Sequence, residues 1–279
     1  MGGITRLLLL LWVGLCLSGD TVSTVVDLQK RIIGGHECEP KERLYHVKLI
    51  ANDGNDEFFC GGSLISDQWI LTAAHCWEVG WTINAVLGVH PGPGQPVVIK
   101  APPEIFTDYD KNNNKRSHDI MLLKLPRPTK IRPIELPNCR NPPKLGEKVK
   151  IAGHAATTGG PNKERTPGVS HTLQCVETDI VNCQGLRNYL KNKNSFFYRK
   201  VMYQHWFCGQ SPGVDVCTGD SGGGVVYKNK IYGVMSFTGD MDYVCTKPTA
   251  IMDICNQEYI KWIKDTIDIP QRGCGLLCG

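Results

Sequence analysis

Ser221 stands in "GVDVCTGDSGGG", residues 213–224, a stretch with very little side-chain bulk. A serine hydroxyl is a weak nucleophile at neutral pH. It needs a base within hydrogen-bond reach, a partner that orients the base, and donors aimed at the oxyanion that forms. The donors can be local. The backbone N–H groups of Gly219 and Ser221 can turn to one point, because glycine tolerates the tight turn and lets a carbonyl approach. The base must come from elsewhere, and eight histidines compete for the role. His75 ends the apolar run "ILTAAHCW", in a small-residue turn beside Cys76. Asp119, in "SHDIMLLKL", heads an apolar strand. A carboxylate buried there needs a partner, and an imidazole N–H is a good one. Singly, each has a plainer reading: His75 as a packed core residue, Asp119 as a strand cap. His36, His46, His90, His118, His154, His171 and His205 lack such contexts and read as structural or surface residues.

The surrounding pattern supplies strands to hold these groups. "LYHVKLI" (Leu44 to Ile50) alternates Tyr45, Val47 and Leu49 with polar residues. "IMLLKL", "KVKIAG" and "GVVYKNKIYGVMSF" are also strand-like, the last a hairpin turning at Lys228-Asn229-Lys230. Many short strands divided by Gly, Pro and Asn predict an all-β barrel or sandwich. Tyr259, Ile260, Ile263 and Ile267 recur at helical spacing and predict a C-terminal helix packed on that body. The chain of 279 residues is long enough for one large β domain or two small ones. A net charge of +4 is too weak to argue for nucleic acid or an anionic membrane, and "KNNNKR" (Lys111 to Arg116) reads as a solvated loop.

Arg6 followed by "LLLLLWVGLCL" and then Ser18-Gly19 reads as a signal peptide, residues 1–19. That predicts a product that is secreted or stored in a secretory granule. Of thirteen cysteines, Cys16 leaves with the signal, and the even remainder in an exported chain reads as disulfides. No CxxC pair supports a zinc site. No metal and no cofactor are expected.

Together, "TAAHC", "HDIMLLKL" and "GDSGG" resemble the chymotrypsin-type, trypsin-like serine proteases, in that family's order of His, Asp and Ser. "RIIGG" upstream completes the pattern, and the resemblance covers about Ile32 to Ile269. It implies two packed six-stranded antiparallel β-barrels with a C-terminal helix and an active site between the barrels. By position it makes Ser221 the nucleophile, His75 the acid/base and Asp119 its orienting partner, with the Gly219 and Ser221 amides as oxyanion hole. Ser236 would support Asp119, and Ser236 to Thr238, with Phe237, would pair with an extended substrate. It also implies disulfides Cys38–Cys175, Cys60–Cys76, Cys139–Cys255, Cys183–Cys208 and Cys217–Cys245. Cys274 and Cys278 fall in a tail the family does not explain.

The same resemblance divides the chain into an activation peptide (20–31), a protease domain (32–270) and the Cys-containing tail (271–279). Cleavage after Arg31 would free the Ile32 amine to pair with Asp220. The implied partners are protein or peptide substrates, an activating protease and protein inhibitors, acting on a monomer. Asp215, six residues before Ser221, matches the residue that attracts Arg or Lys at the base of the primary pocket. Thr238 and Thr249 match the two glycines that keep that pocket open in trypsin, so a basic preference through a narrowed pocket is expected. Small side chains are the alternative preference, and a protease fold that binds without cutting is the alternative function. The acidic calcium loop of trypsins is missing from "LGVHPGPGQP".

Overall fold

A computed structural model describes residues 34–155, 162, 164, 168–214, 220–240 and 242–267. A short strand β1 (His36–Glu37) precedes the first sheet. That sheet comprises β2 (His46–Asn52), β3 (Glu57–Leu64), β4 (Trp69–Thr72), β5 (Thr82–Leu87), β6 (Gln95–Val98), β7 (Glu104–Tyr109) and β8 (Lys115–Lys124), in the order β6-β5-β2-β3-β4-β8-β7. The second comprises β9 (Lys148–Ala155), β10 (Val169–Val181), β11 (Trp206–Gly209), β12 (Gly224–Tyr227), β13 (Lys230–Thr238) and β14 (Thr249–Asp253), with β1 added at the edge. Its order is β1-β10-β11-β14-β13-β12-β9, and a further β9–β10 pairing closes six strands into a barrel. The β architecture agrees with expectation. The closed barrel carries β1 as an extra strand, and the other sheet has seven strands rather than six.

Burial explains the patterning. In β8, Ile120, Met121, Leu122 and Leu123 are all fully buried, so the run is continuous rather than alternating. The outer cover near β7 and β8 comes from the C-terminal helix α3 (Gln257–Thr266), whose Tyr259 and Trp262 meet Phe106 edge-on. Asn256 caps α3 by accepting the backbone N–H groups of Glu258 and Tyr259. The β12–β13 hairpin turns at Lys228 and Asn229, both at positive φ, as a two-residue turn requires when its twist matches the strands. Lys230 already belongs to β13. The "KNNNKR" run lies in the β7–β8 hairpin, where Asp110 accepts N–H groups from Asn112 and Asn114.

Two helices were not anticipated: α1 (Gln184–Lys193) and α2 (Ser195–Val201). Their apolar stripe is thin, with Leu186 and Leu190 of α1 and Val201 of α2 buried, too little to stand out in a polar segment. Four expected disulfides are present: Cys38–Cys175, Cys60–Cys76, Cys139–Cys255 and Cys183–Cys208. Cys217 lies outside the described residues, as do the signal and activation segments, Arg31, Ile32, Asp215, Gly219 and the cysteine tail.

Candidate active site

Strand β3 organises the site from both sides. The Cys60–Cys76 disulfide ties it to the short 3-10 turn Ala74–Cys76 that follows β4 and carries His75. The next residue, Gly61, donates its N–H to the Ser221 carbonyl at 2.7 Å. The Ser221 backbone, between β11 and β12 in sequence, is thereby pinned to the opposite sheet. Gly222 donates to Met235 O of β13 at 2.7 Å. Glycine is needed here for a steric reason as well: at Gly222, φ is +83° and a Cβ would sit 2.4 Å from Gly61 O and 2.1 Å from Thr72 Oγ1. The small residues after Ser221 therefore serve close contact between the sheets, in addition to the tight turn the sequence suggests.

Asp119 receives three kinds of donor. Its carboxylate lies 3.0 and 2.9 Å from His75 Nδ1 and accepts the His75 backbone N–H at 2.8 Å. The Ser236 hydroxyl donates to Oδ2. Gln204, buried below α2, accepts the Asp119 backbone N–H at 2.9 Å. Both Asp119 and Ser236 sit at register breaks. Residues 118–120 of β8 pass a single residue, Phe106, between the Ile105–Met121 and Thr107–Ser117 pairs. Ser236 is the extra residue between the Met235–Ile251 and Phe237–Ala250 pairs. Such bulges re-aim a side chain that strict alternation would send elsewhere. On the neighbouring residue, His118 Nδ1 bonds the hydroxyl of Tyr259, so α3 braces β8 beside the carboxylate.

The electrostatics follow from these contacts. Burial would raise the Asp119 carboxyl, but the His75 charge, hydrogen bonds from His75 and Ser236, and the His75 backbone N–H outweigh it and hold the pKa below its ordinary value. Burial pulls His75 down, while the charge and hydrogen bond of Asp119 push harder, and the net shift is upward. His75 still shows 44% of its side chain to solvent, so water screens part of this pairing. With Nδ1–H held by the carboxylate, Nε2 carries the lone pair in the neutral ring. Cys60, His75 and Cys76 place ligand-type atoms within 4.8 Å of one another, yet both sulfurs belong to the disulfide and cannot act as thiolates.

Thr238 and Thr249 are direct partners across the β13–β14 ladder; Thr249 is buried, and Thr238 Oγ1 donates to Asp240 O at 3.0 Å. Beside Thr249, a cleft between Val214, Gly209, Lys247 and Ile251 holds about 10 Å³, room for roughly one water. Phe237 packs edge-on against Phe197 of α2 and Trp206 of β11. Asp220 is fully buried, and a Cβ on Gly153 would lie 1.9 Å from its Oδ1. Gln204, Gly61 and Gly153 join the site without having stood out in the sequence. The glycine pair in "FFCGGSL" was a usable signal of close backbone approach. Gln204, 85 residues from Asp119, left none.

The Trypsin family model matches residues 32–263. The chain belongs to the trypsin family. It is a serine endopeptidase, a hydrolase of peptide bonds. This trypsin-family chain is 32% identical over 247 residues to snake venom serine protease BthaTL of Bothrops alternatus, covering 85% of this chain and 96% of that one. It is 32% identical over 248 residues to kallikrein-8 of Mus musculus, covering 85% and 87%. The solved structure of neuropsin, a serine protease of mouse brain, matches with TM-score 0.62 and 30% identity over 84% of this chain and 99% of that one. A scabies mite inactivated protease paralogue matches with TM-score 0.67 at 21% identity over 85% and 97%, a likeness of fold. Among the described residues, no helix is long and apolar enough to cross a membrane.

Proposed function

We propose that this chain is a secreted endopeptidase, made as a zymogen, that cuts peptide bonds through an acyl-enzyme on Ser221. The observation that supports the reading is the His75–Asp119–Ser236 constellation, with β3 tied both to the turn that carries His75 and to the Ser221 backbone. His75 Nε2 takes the Ser221 proton as the hydroxyl attacks the scissile carbonyl, and later gives it to the leaving amine. Asp119 fixes the tautomer and stabilises the imidazolium; the Gly219 and Ser221 amides hold the oxyanion. In the precursor, Arg31 joins the activation segment to Ile32. Cutting there frees an amine whose partner is Asp220, and the space over Gly153 accommodates that buried carboxylate. The precursor meets an activating protease, and the active monomer meets protein or peptide substrates and protein inhibitors.

Specificity follows the pocket. Asp215 attracts a basic side chain, while Thr238 and Thr249, facing each other across one ladder position, narrow its approach. Weak cleavage after Arg or Lys is the reading; the same narrowing favours small side chains as the second reading. The test is labelling by an organophosphonate serine trap. Wild-type protein cut after Arg31 takes up the label, whereas Ser221→Ala and uncut Arg31→Gln proteins do not. Label-free wild-type protein after complete cleavage would instead assign the fold to binding without catalysis.

A further inference from the structure

The segment from Ile180 to Val214 contains Arg187, Lys191, Lys193, Arg199 and Lys200 and no Asp or Glu. It includes both α1 and α2. Lys191, Lys193, Arg199 and Lys200 are exposed, and none of the five cations pairs with a carboxylate among the described residues. Aromatic faces hold several cations here instead. Arg187 lies over Trp206 at 3.8 Å, Lys200 over Phe196 at 4.6 Å, and nearby Lys247 over Tyr189 at 4.7 Å. A ring face orients a cation without neutralising it, so the positive field survives.

This flank is continuous with the proposed substrate edge. Phe197 of α2 packs on Phe237, and Leu186 of α1 lies where a Cβ on Gly239 would touch it, 2.4 Å away. Asp240, next to Gly239, accepts the N–H groups of Asp242 and Tyr243 and the Thr246 hydroxyl. An extended chain advances about 3.3 Å per residue. A substrate paired antiparallel along Ser236–Thr238 sends its N-terminal side past Thr238 toward Gly239, and so reaches the helices a few residues beyond that pairing.

We infer that the α1–α2 face is a docking surface for an acidic segment of the protein substrate, on the N-terminal side of the scissile bond. The inference rests on the proteolytic reading above. The test uses peptide amides with one common cleavage site and three Glu or three Gln placed four to seven residues before it, plus the same triplets placed after it. The activated protein cuts the upstream Glu peptide at least tenfold faster in kcat/KM than its Gln twin at low salt. That ratio collapses toward one in 0.5 M salt, and the downstream triplet gives no gain. The K191E/R199E/K200E variant loses the ratio while cutting the Gln peptide as well as wild type. Equal rates on Glu and Gln peptides, a gain confined to the downstream triplet, or a gain surviving charge reversal overturns the inference. Cleavage of the Gln peptide reports separately on the proteolytic reading. If nothing is cut, anisotropy of the labelled upstream Glu and Gln peptides on the same protein decides the docking surface: tighter, salt-sensitive Glu binding supports it, and equal binding overturns it. Binding of a sulfated glycan to the helices without Glu/Gln discrimination also overturns it.

Discussion

Two regions of this molecule set histidine in contrasting surroundings, with opposite results. At His75, partly open to solvent, a carboxylate lies 2.9 Å away and the pKa rises against the pull of desolvation. Between the sheets, the rings of His46 of β2 and His154 of β9 lie tilted at 47° with centroids 5.6 Å apart, both almost wholly buried. There burial is the leading cause that drives both values down. The other histidine, Arg43 and His90 add to it at His46; Lys48 and His90 add to it at His154, where a hydrogen bond to the Ser170 carbonyl offsets only part. His154 falls to about 4. Burial without a carboxylate partner holds His46 and His154 neutral, whereas the Asp119 carboxylate, beside a more open ring, raises His75.

The two regions separate most visibly at the proposed nucleophile and its base. Ser221→Ala or His75→Ala should lower kcat by roughly 10⁶-fold, the scale seen when such a unit is disrupted. His46→Phe should leave kcat within a few-fold, and comparable losses in the two histidine variants would erase the distinction between the regions. Asp119→Asn should cost about 10⁴ in kcat by holding the wrong tautomer, with KM nearly unchanged. It should also change the pH profile. In the wild type kcat/KM falls as pH drops through the raised His75 value, since only the neutral ring accepts a proton. An acid limb at an identical pH in Asp119→Asn would sink the claim that the carboxylate sets it.

The buried pair predicts a stability effect of the next size. Between about pH 6.5 and 4, the unfolded chain binds a proton at His154 that the native state refuses, so stability is lost as pH falls through that window. The loss from this residue is on the order of 3 kcal/mol. Denaturant titrations at pH 7 and pH 4 on Ser221→Ala protein, which cannot digest itself, measure it. His154→Phe should flatten the difference, and an equally steep loss in that variant would show that the burial argument is wrong. Smallest is the pocket. Replacing Thr238 and Thr249 together by glycine should raise kcat/KM on Arg peptide amides at least tenfold, about 1.4 kcal/mol of transition-state binding. A wild type that prefers Ala or Val, with no gain on Arg in the double variant, would make Asp215 a structural residue.

The sequence by itself determined the family, the β class and the C-terminal helix, and it singled out His75, Asp119 and Ser221 as the candidate triad. Those rest on short-range features: residue types in contiguous motifs, alternation along strands, and helical spacing at Tyr259, Ile263 and Ile267. The resemblance also paired eight cysteines as the structure does. Tertiary structure decided what aims those residues. The bulges at His118–Ile120 and at Ser236 depend on the register of two strands at once, which neither strand encodes alone. Gln204 reaches Asp119, and Gly61 reaches Ser221, only because distant segments are brought together. The histidines at 46 and 154 looked alike and incidental in the sequence, because an imidazole's charge is set by what surrounds it, and its surroundings exist only once the two sheets have closed on each other.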